Sequence, residues 1–197
     1  NDPESVPAKV ERAKQANTKI AGVWAEDWTG LRKFKAQTRL FWNWKYSQQM
    51  YPDLPKYIEQ LHAEGIRFLG YNNCFLMLDG DLYEYAREHS YLVKTKTGEP
   101  YNLRMYSFYA VLLDLTNPET ITWFKNLIKQ HMIGIGLDGW MCDFAEYVPI
   151  DSTVHSNQDP YIHHNEYPVL WAKLNEDAVR EMGRDKGDNA IVFFSRS

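Results

Sequence analysis

Cysteine is nearly absent from the chain: Cys74 and Cys142 are the only two in 197 residues. They are too few and too far apart for a disulfide framework or a cysteine-built zinc site, so both are expected as free thiols. There is no excess of positive charge either. Lys and Arg number 22 against 26 Asp and Glu, a net charge of -4, and the scattered cations form no surface for phosphates, which argues against nucleic acid as a partner. No apolar run approaches the roughly 20 residues that cross a bilayer, and the opening "NDPESVPAKVERAK" lacks the apolar core of a signal peptide. The expectation is a soluble protein with no membrane span, the cytoplasm being the favoured compartment. The adjacent His163 and His164 have no cysteine or third histidine at ligand spacing, so no metal is expected there and the pair reads as a loop or helix entry.

What the sequence does hold is apolar and aromatic. At 44% hydrophobic and 24% charged it has the composition of an ordinary globular domain with material for one core. Seven Trp and thirteen Tyr supply rings with an apolar face and a polar tip, a combination suited to sugars or to a wet cleft.

Beyond a lead-in segment, residues 1–18, strand and helix signals alternate. "KIAGVWAEDW" (19–28) runs apolar into polar residues, as a buried parallel strand with a functional end does. "TRLFWNWKYSQQMYPDLP" reads as a loop, and "KYIEQLHAEG" has helical spacing closed by Gly65. "IRFLGYNN" (66–73) is a second strand. The stretch 79–110 is an excursion with a helix in "DLYEYAREH" and an aromatic loop. "AVLLDL" (110–115) is a third strand, and "TNPETITWFKNLIKQHM" is a helix capped by Thr116 or Asn117 with Pro118 in its first turn. "GLDGWMCDF" is a fourth strand, "YPVLWAKLNEDAVREMG" another helix, and "NAIVFFS" a fifth strand.

Such alternation implies a parallel sheet. No glycine-rich phosphate loop follows the first strand, which disfavours a dinucleotide-binding doubly wound sheet and leaves a (β/α)8 barrel, of which only about the first five β/α units are present. A full barrel takes about 250 residues, so residues 19–197 read as its N-terminal part, incomplete at the C-terminus.

Barrel chemistry sits at the strand C-termini. That rule selects Glu26 and Asp27, Asn72 and Asn73, Asp114, Asp143 with Glu146, and Arg196. Carboxylates among aromatic rings suit glycoside hydrolysis, where one carboxylate attacks the anomeric carbon and a second acid protonates the leaving oxygen. Asp143 is best placed for the nucleophile, with Arg196 able to hold it ionised; by position alone, a structural role for Asp143 weighs equally.

"LDGWMCDFAEYVPID" resembles the nucleophile segment of glycoside hydrolase family 31, and more closely its sulfoquinovosidase branch. "GVWAEDW", "TRLFWNWKYS", "IRFLGYNN", "DGDLYEYA", "LDLTNPE", "HNEYPVLWAKLNEDAV" and "FFSRS" follow in the order of that branch. The resemblance implies that Asp143 is the catalytic nucleophile of a retaining mechanism with a covalent glycosyl-enzyme intermediate, and that Glu146 is a supporting residue. It implies that Arg39 and Trp42 hold the sugar's sulfonate, by guanidinium and indole N–H, that Glu26 accepts a sugar hydroxyl, and that Arg196 contacts the sugar. Trp140 reads equally as core or pocket wall, and Asp27 and Asp114 as pocket lining or strand-end acceptors.

In the family pattern the general acid/base Asp lies beyond Ser197, so the isolated chain is expected to be inactive: retention needs a second carboxyl roughly 5 to 5.5 Å from the first. Cys74 and Cys142 depart from the family pattern. No cofactor is implied, and the expected partner is a small-molecule glycoside, an α-sulfoquinovoside derived from sulfolipid. The alternatives are a family 31 α-glucosidase or α-xylosidase, and a catalytically retired sugar-binding or structural homologue.

Overall fold

The computed structural model describes residues 5–34, 37–105 and 107–196; the first four residues of the lead-in and Ser197 lie outside the described residues. The lead-in carries helix α1 (Val6–Gln15), started by a Ser5 side chain that accepts the Ala8 N–H. Strand β1 (Gly22–Trp24) is followed at once by a 3₁₀ turn over Glu26–Thr29. The strand expected over 19–28 is thus shorter than its apolar run suggested, because its polar end curls. Strands β2 (Leu31–Phe34) and β3 (Gln37–Leu40) form an antiparallel pair, where part of the second was expected as loop; their largely exposed side chains give no buried-strand pattern to read.

Helix α2 (Leu54–Ala63) begins at an Asp53 cap and is followed by Gly65 at φ +74°, a conformation in which glycine avoids the Cβ penalty. Next come β4 (Arg67–Asn73), β5 (Phe75–Met77), α3 (Asp81–Glu88), β6 (Leu103–Met105) and β7 (Phe108–Leu112). Helix α4 (Pro118–Ile128) has Asn117 as its cap, accepting the Glu119 N–H, and runs into a π turn over Lys129–Ile133. Strand β8 (Gly139–Asp143), helix α5 (Pro160–Glu181) and strand β9 (Val192–Ser195) complete the described chain.

Strands β1, β4, β8 and β9 form one parallel sheet in that order. Each new strand is added on the same side of the last, without the reversal that defines a doubly wound sheet. This one-way order suits a barrel better than a doubly wound sheet, and the sheet is open among the described residues. Among those residues it contains four strands rather than five, because "AVLLDL" does not join it: β7 pairs antiparallel with β5 and β6 in a separate sheet. A short apolar strand buried on both faces reads the same whichever sheet takes it in.

The core lies between the parallel sheet and the helices that connect its strands. Phe124 of α4 meets Trp171 of α5 at 5.6 Å between ring centroids, and Leu127, Ile128, Leu174 and Val179 are buried alongside. Each such side chain contributes about 1.5–3 kcal/mol on burial. Trp140 faces this side: it is fully buried, donates its indole N–H to Asn175 Oδ1 at 3.0 Å and stacks on Phe193, so it is core and not pocket wall. Gly139 lets β8 and β9 approach closely, since a Cβ there would stand 2.0 Å from the Val192 carbonyl oxygen.

Candidate active site

At the C-terminal ends of the parallel strands a cavity of about 420 Å³ is lined by Glu26, Arg39, Trp42, Tyr71, Asp143 and Arg196, with further aromatic wall from Phe108, Phe144 and Tyr147. Five of the six residues expected at the site therefore share one cleft. The sixth, Glu146, is exposed and lies outside this lining, though near enough to act electrostatically on Arg196.

Asp143 is the last residue of β8 and is 6% exposed. The strand stops there because the next two residues, Phe144 and Ala145, adopt φ of +61° and +92°, a left-handed conformation that costs a non-glycine residue about 1–3 kcal/mol and clusters at functional sites. The carboxylate is held from two sides. Tyr71 O–H donates to Oδ2 at 2.7 Å, and Arg196 Nε–H donates to Oδ1 at 2.8 Å. The Arg196 guanidinium also sits 5.1 Å from the Phe144 ring centroid, and its pKa is raised, first by Asp143. The charge at the end of "GWMCDF" thus has a cation, supplied from just beyond β9.

Glu26 enters from the 3₁₀ turn after β1. Its pKa is raised above the ordinary carboxylate value by burial first and then by the charges of Asp143 and Asp27. Arg39 projects from β3, where Gln37 Oε1 accepts a hydrogen bond from its Nη2. Trp42 is buried in the loop after β3, against Phe75, Phe108 and Phe144. Its backbone N–H points at Met77 Sδ, and Trp44, two residues on, ties the loop to β5 through an indole bond to the Phe75 carbonyl. The Trp42 indole N–H is buried and has no hydrogen-bond partner among the described residues. A buried donor without a partner is costly, so this one is suited to an acceptor brought by a ligand.

Other strand-end polar groups serve the fold. Asp27 accepts the Tyr51 hydroxyl, and Asp114 accepts Thr116 N–H and Oγ1–H and the His155 N–H; neither lines the cleft. Asn72 is spent on Asn175. His163 is buried with its ring against Tyr167, and His164 donates through Nδ1 to the Val148 carbonyl, both within helix α5. Cys74 and Cys142 are buried and unpaired. Burial pushes the Cys74 thiol up to about 12 and that of Cys142 well above its ordinary value, which leaves no thiolate nucleophile at neutral pH. Tyr71 is the contact that sequence reasoning missed. The sequence carries no signal for it: residues 71 and 73 share one face of β4, but that Asn73 stands in register with Asp143 is set by the pairing of β4 with β8.

The whole of residues 1–197 matches the glycosyl hydrolases family 31 TIM-barrel domain. The chain is 42% identical over 189 residues, 96% of its length, to a sulfoquinovosidase of Escherichia coli strain K12. It is 38% identical over 191 residues, again 96% of its length, to a sulfoquinovosidase of Agrobacterium fabrum. It spans 27% and 28% of the length of those two relatives. Among solved structures, a family 31 sulfoquinovosidase from E. rectale in complex with an aza-sugar inhibitor superposes with a TM-score of 0.90 at 45% identity, covering 96% of this chain and 28% of that one.

Proposed function

Because the chain belongs to glycosyl hydrolase family 31, we propose that it forms the nucleophile-bearing part of the catalytic barrel of a retaining α-sulfoquinovosidase. The observation that carries this reading is one cleft uniting an aspartate held by a tyrosine and an arginine with a second guanidinium and a buried, unpartnered indole N–H. The nucleophile and the sulfonate-recognising groups come from different elements, β8 and the β3 loop, yet open onto the same space.

In the first step an Asp143 oxygen gives an electron pair to the anomeric carbon. The glycosidic bond breaks, and its electrons go to the leaving oxygen, which takes a proton from a second carboxylic acid. In the family pattern that acid lies C-terminal to residue 197. A water, deprotonated by the same group, then attacks the glycosyl ester from the opposite face, releasing the sugar with its original anomeric configuration and Asp143 as a carboxylate.

The sulfonate brings a fixed negative charge into a cleft that already holds Glu26 and Asp143. Arg196 answers Asp143, and Arg39 supplies a guanidinium on the hairpin side whose planar fork matches sulfonate oxygens. Trp42 adds a donor that a neutral exocyclic hydroxyl would use less well. Glu26, with its raised pKa, suits a sugar hydroxyl and not the sulfonate.

The test is hydrolysis of nitrophenyl α-sulfoquinovoside beside the matching α-glucoside by the whole protein. Turnover of the sulfonated substrate alone is expected. Turnover of the glucoside alone would move the protein to the α-glucosidases, and silence on both would leave a sugar-binding homologue.

A further inference from the structure

We infer that Tyr71 and Asn73 are a positioning pair for the nucleophile, a relay of fixed hydrogen-bond direction that starts at a backbone amide and ends on one oxygen of Asp143. The inference rests on the reading of Asp143 as the attacking group.

The direction follows from what each group can do. The Phe75 N–H can only donate, and it donates to Asn73 Oδ1 at 2.9 Å. That settles which end of the Asn73 amide is oxygen, and so Nδ2 is the end that faces the Tyr71 hydroxyl, at 3.2 Å. An amide nitrogen has protons and no lone pair to offer, so it donates. Tyr71 oxygen is therefore an acceptor toward Asn73, and the single phenolic proton is left for Asp143 Oδ2 at 2.7 Å. Each step removes the alternative at the next.

The relay is rigid as well as directed. Tyr71 and Asn73 are 4% and 0% exposed and lie two residues apart on β4, which puts both side chains on one face of the strand. Asn73 stands beside Asp143 in the ladder between β4 and β8. Burial, only partly opposed by the Asn73 hydrogen bond and reinforced by the charges of Asp143 and Glu26, raises the Tyr71 pKa far above neutral, so the phenol keeps its proton at neutral pH.

With Arg196 on Oδ1 and Tyr71 on Oδ2, the carboxylate cannot rotate about its last bond without breaking a charge-assisted hydrogen bond. That fixes the attacking lone pair relative to the anomeric carbon, where a small misplacement costs about a hundredfold in rate. When the glycosyl ester is cleaved and charge returns to Asp143, the donor is already in place and needs no reorganisation.

The experiment compares Tyr71→Phe, Asn73→Ala and the double variant in the whole protein, recording kcat and KM on α-sulfoquinovoside across pH. Tyr71→Phe is expected to lower kcat by about 10- to 100-fold with little change in KM. The acidic limb of its pH–rate profile moves to higher pH, because the charged carboxylate has lost a donor. Asn73→Ala should show a smaller loss with the same displacement of the limb, and the double variant should be no worse than Tyr71→Phe alone, since both changes break one relay.

Unchanged kcat in Tyr71→Phe, losses that multiply in the double variant, or an effect confined to KM would overturn the inference. Should Tyr71→Phe fail to fold, Asn73→Ala decides: a displaced acidic limb supports the relay and an unmoved one overturns it. Asp143→Ala separates the two levels. If it stays active, the nucleophile reading falls; if it is dead while Tyr71→Phe keeps its full rate, the relay alone falls.

Discussion

Strand β8 has a buried aspartate at each end, Asp138 just before its start and Asp143 at its close, 4% and 6% exposed. Both ends open on cavities of similar size, about 480 Å³ beside Asp138 and about 420 Å³ beside Asp143, so neither burial nor space distinguishes them. Their partners do. Asp138 is ringed by the Phe68 backbone N–H at 2.8 Å, His62 Nε2 at 2.7 Å and Arg67 Nη1 at 3.1 Å, all from α2 and β4, the elements it stitches together. Asp143 has two donors, one from the sheet and one from beyond β9, and its remaining lone pairs look into an aromatic cleft. Three donors tie Asp138 to α2 and β4, whereas Asp143 has two and keeps more of its roughly four acceptor sites open to its cleft. The position agrees: strand C-termini in such barrels carry function, and N-termini carry stability.

The sharpest way to break this contrast is to remove each carboxylate in turn from the whole protein. Asp143→Ala should cost at least about a thousandfold in turnover while thermal unfolding and soluble yield stay close to those of the parent. Asp138→Ala should do the reverse. Stripping this buried carboxylate leaves the buried Phe68 N–H without its acceptor while His62 and Arg67 remain exposed to solvent, so a destabilisation of about 1–3 kcal/mol is expected, read by denaturant unfolding, with turnover per folded molecule retained. Equal effects of both substitutions on both readouts would erase the distinction.

A smaller effect sharpens the cleft end of the comparison. Arg39→Ala should reduce kcat/KM on the sulfonated sugar by a factor of about 30 or more, the equivalent of truncating one side of a desolvated charge pair, and leave any residual action on the glucoside nearly unchanged. Parallel losses on both substrates would make Arg39 a general support of the cleft and remove the sulfonate from the argument.

Legibility in the sequence differs between the two ends. At the cleft end Asp143 and Arg196 stood out because they break the pattern around them, Asp143 ending an apolar strand without a basic neighbour in sequence and Arg196 following another strand, but position alone left a structural role equally weighted and the proposed roles came from the family resemblance. Tyr71 escaped because a tyrosine inside "FLGYNN" is indistinguishable from core until the strand beside it is known. Asp138 escaped for the same reason, its partners lying 70 to 76 positions away. The start of α4 was readable from its local capping chemistry, Asn117 and Pro118, but α5 begins at Pro160 behind an Asp159 cap, seven residues before the expected Tyr167, in a stretch whose polar composition reads as loop. The assignment of "AVLLDL" to the parallel sheet failed because alternation and apolarity report burial, and pairing is a property of two strands at once.

Glu26 offers the finest test, since it shares the cleft with Asp143 and yet its charge works against the fold. A carboxyl whose pKa is raised in the folded state binds its proton more tightly there than in the unfolded chain, so its ionisation disfavours folding. The penalty is absent below the ordinary carboxylate range, grows as pH rises through the interval between the unfolded and the folded value, and is complete above the folded value. Burial heads the causes and Asp143 follows, but much of the side chain remains in contact with solvent, which screens the effect and keeps it small. Glu26→Gln should therefore unfold at a slightly higher temperature than the parent at neutral pH, with the gain vanishing in acid. In the Asp143→Asn background the gain should shrink, because the second cause of the shift has been removed. A gain that persists unchanged in acid would mean that the substituted amide improves packing, and that the two carboxylates of the cleft do not sense one another.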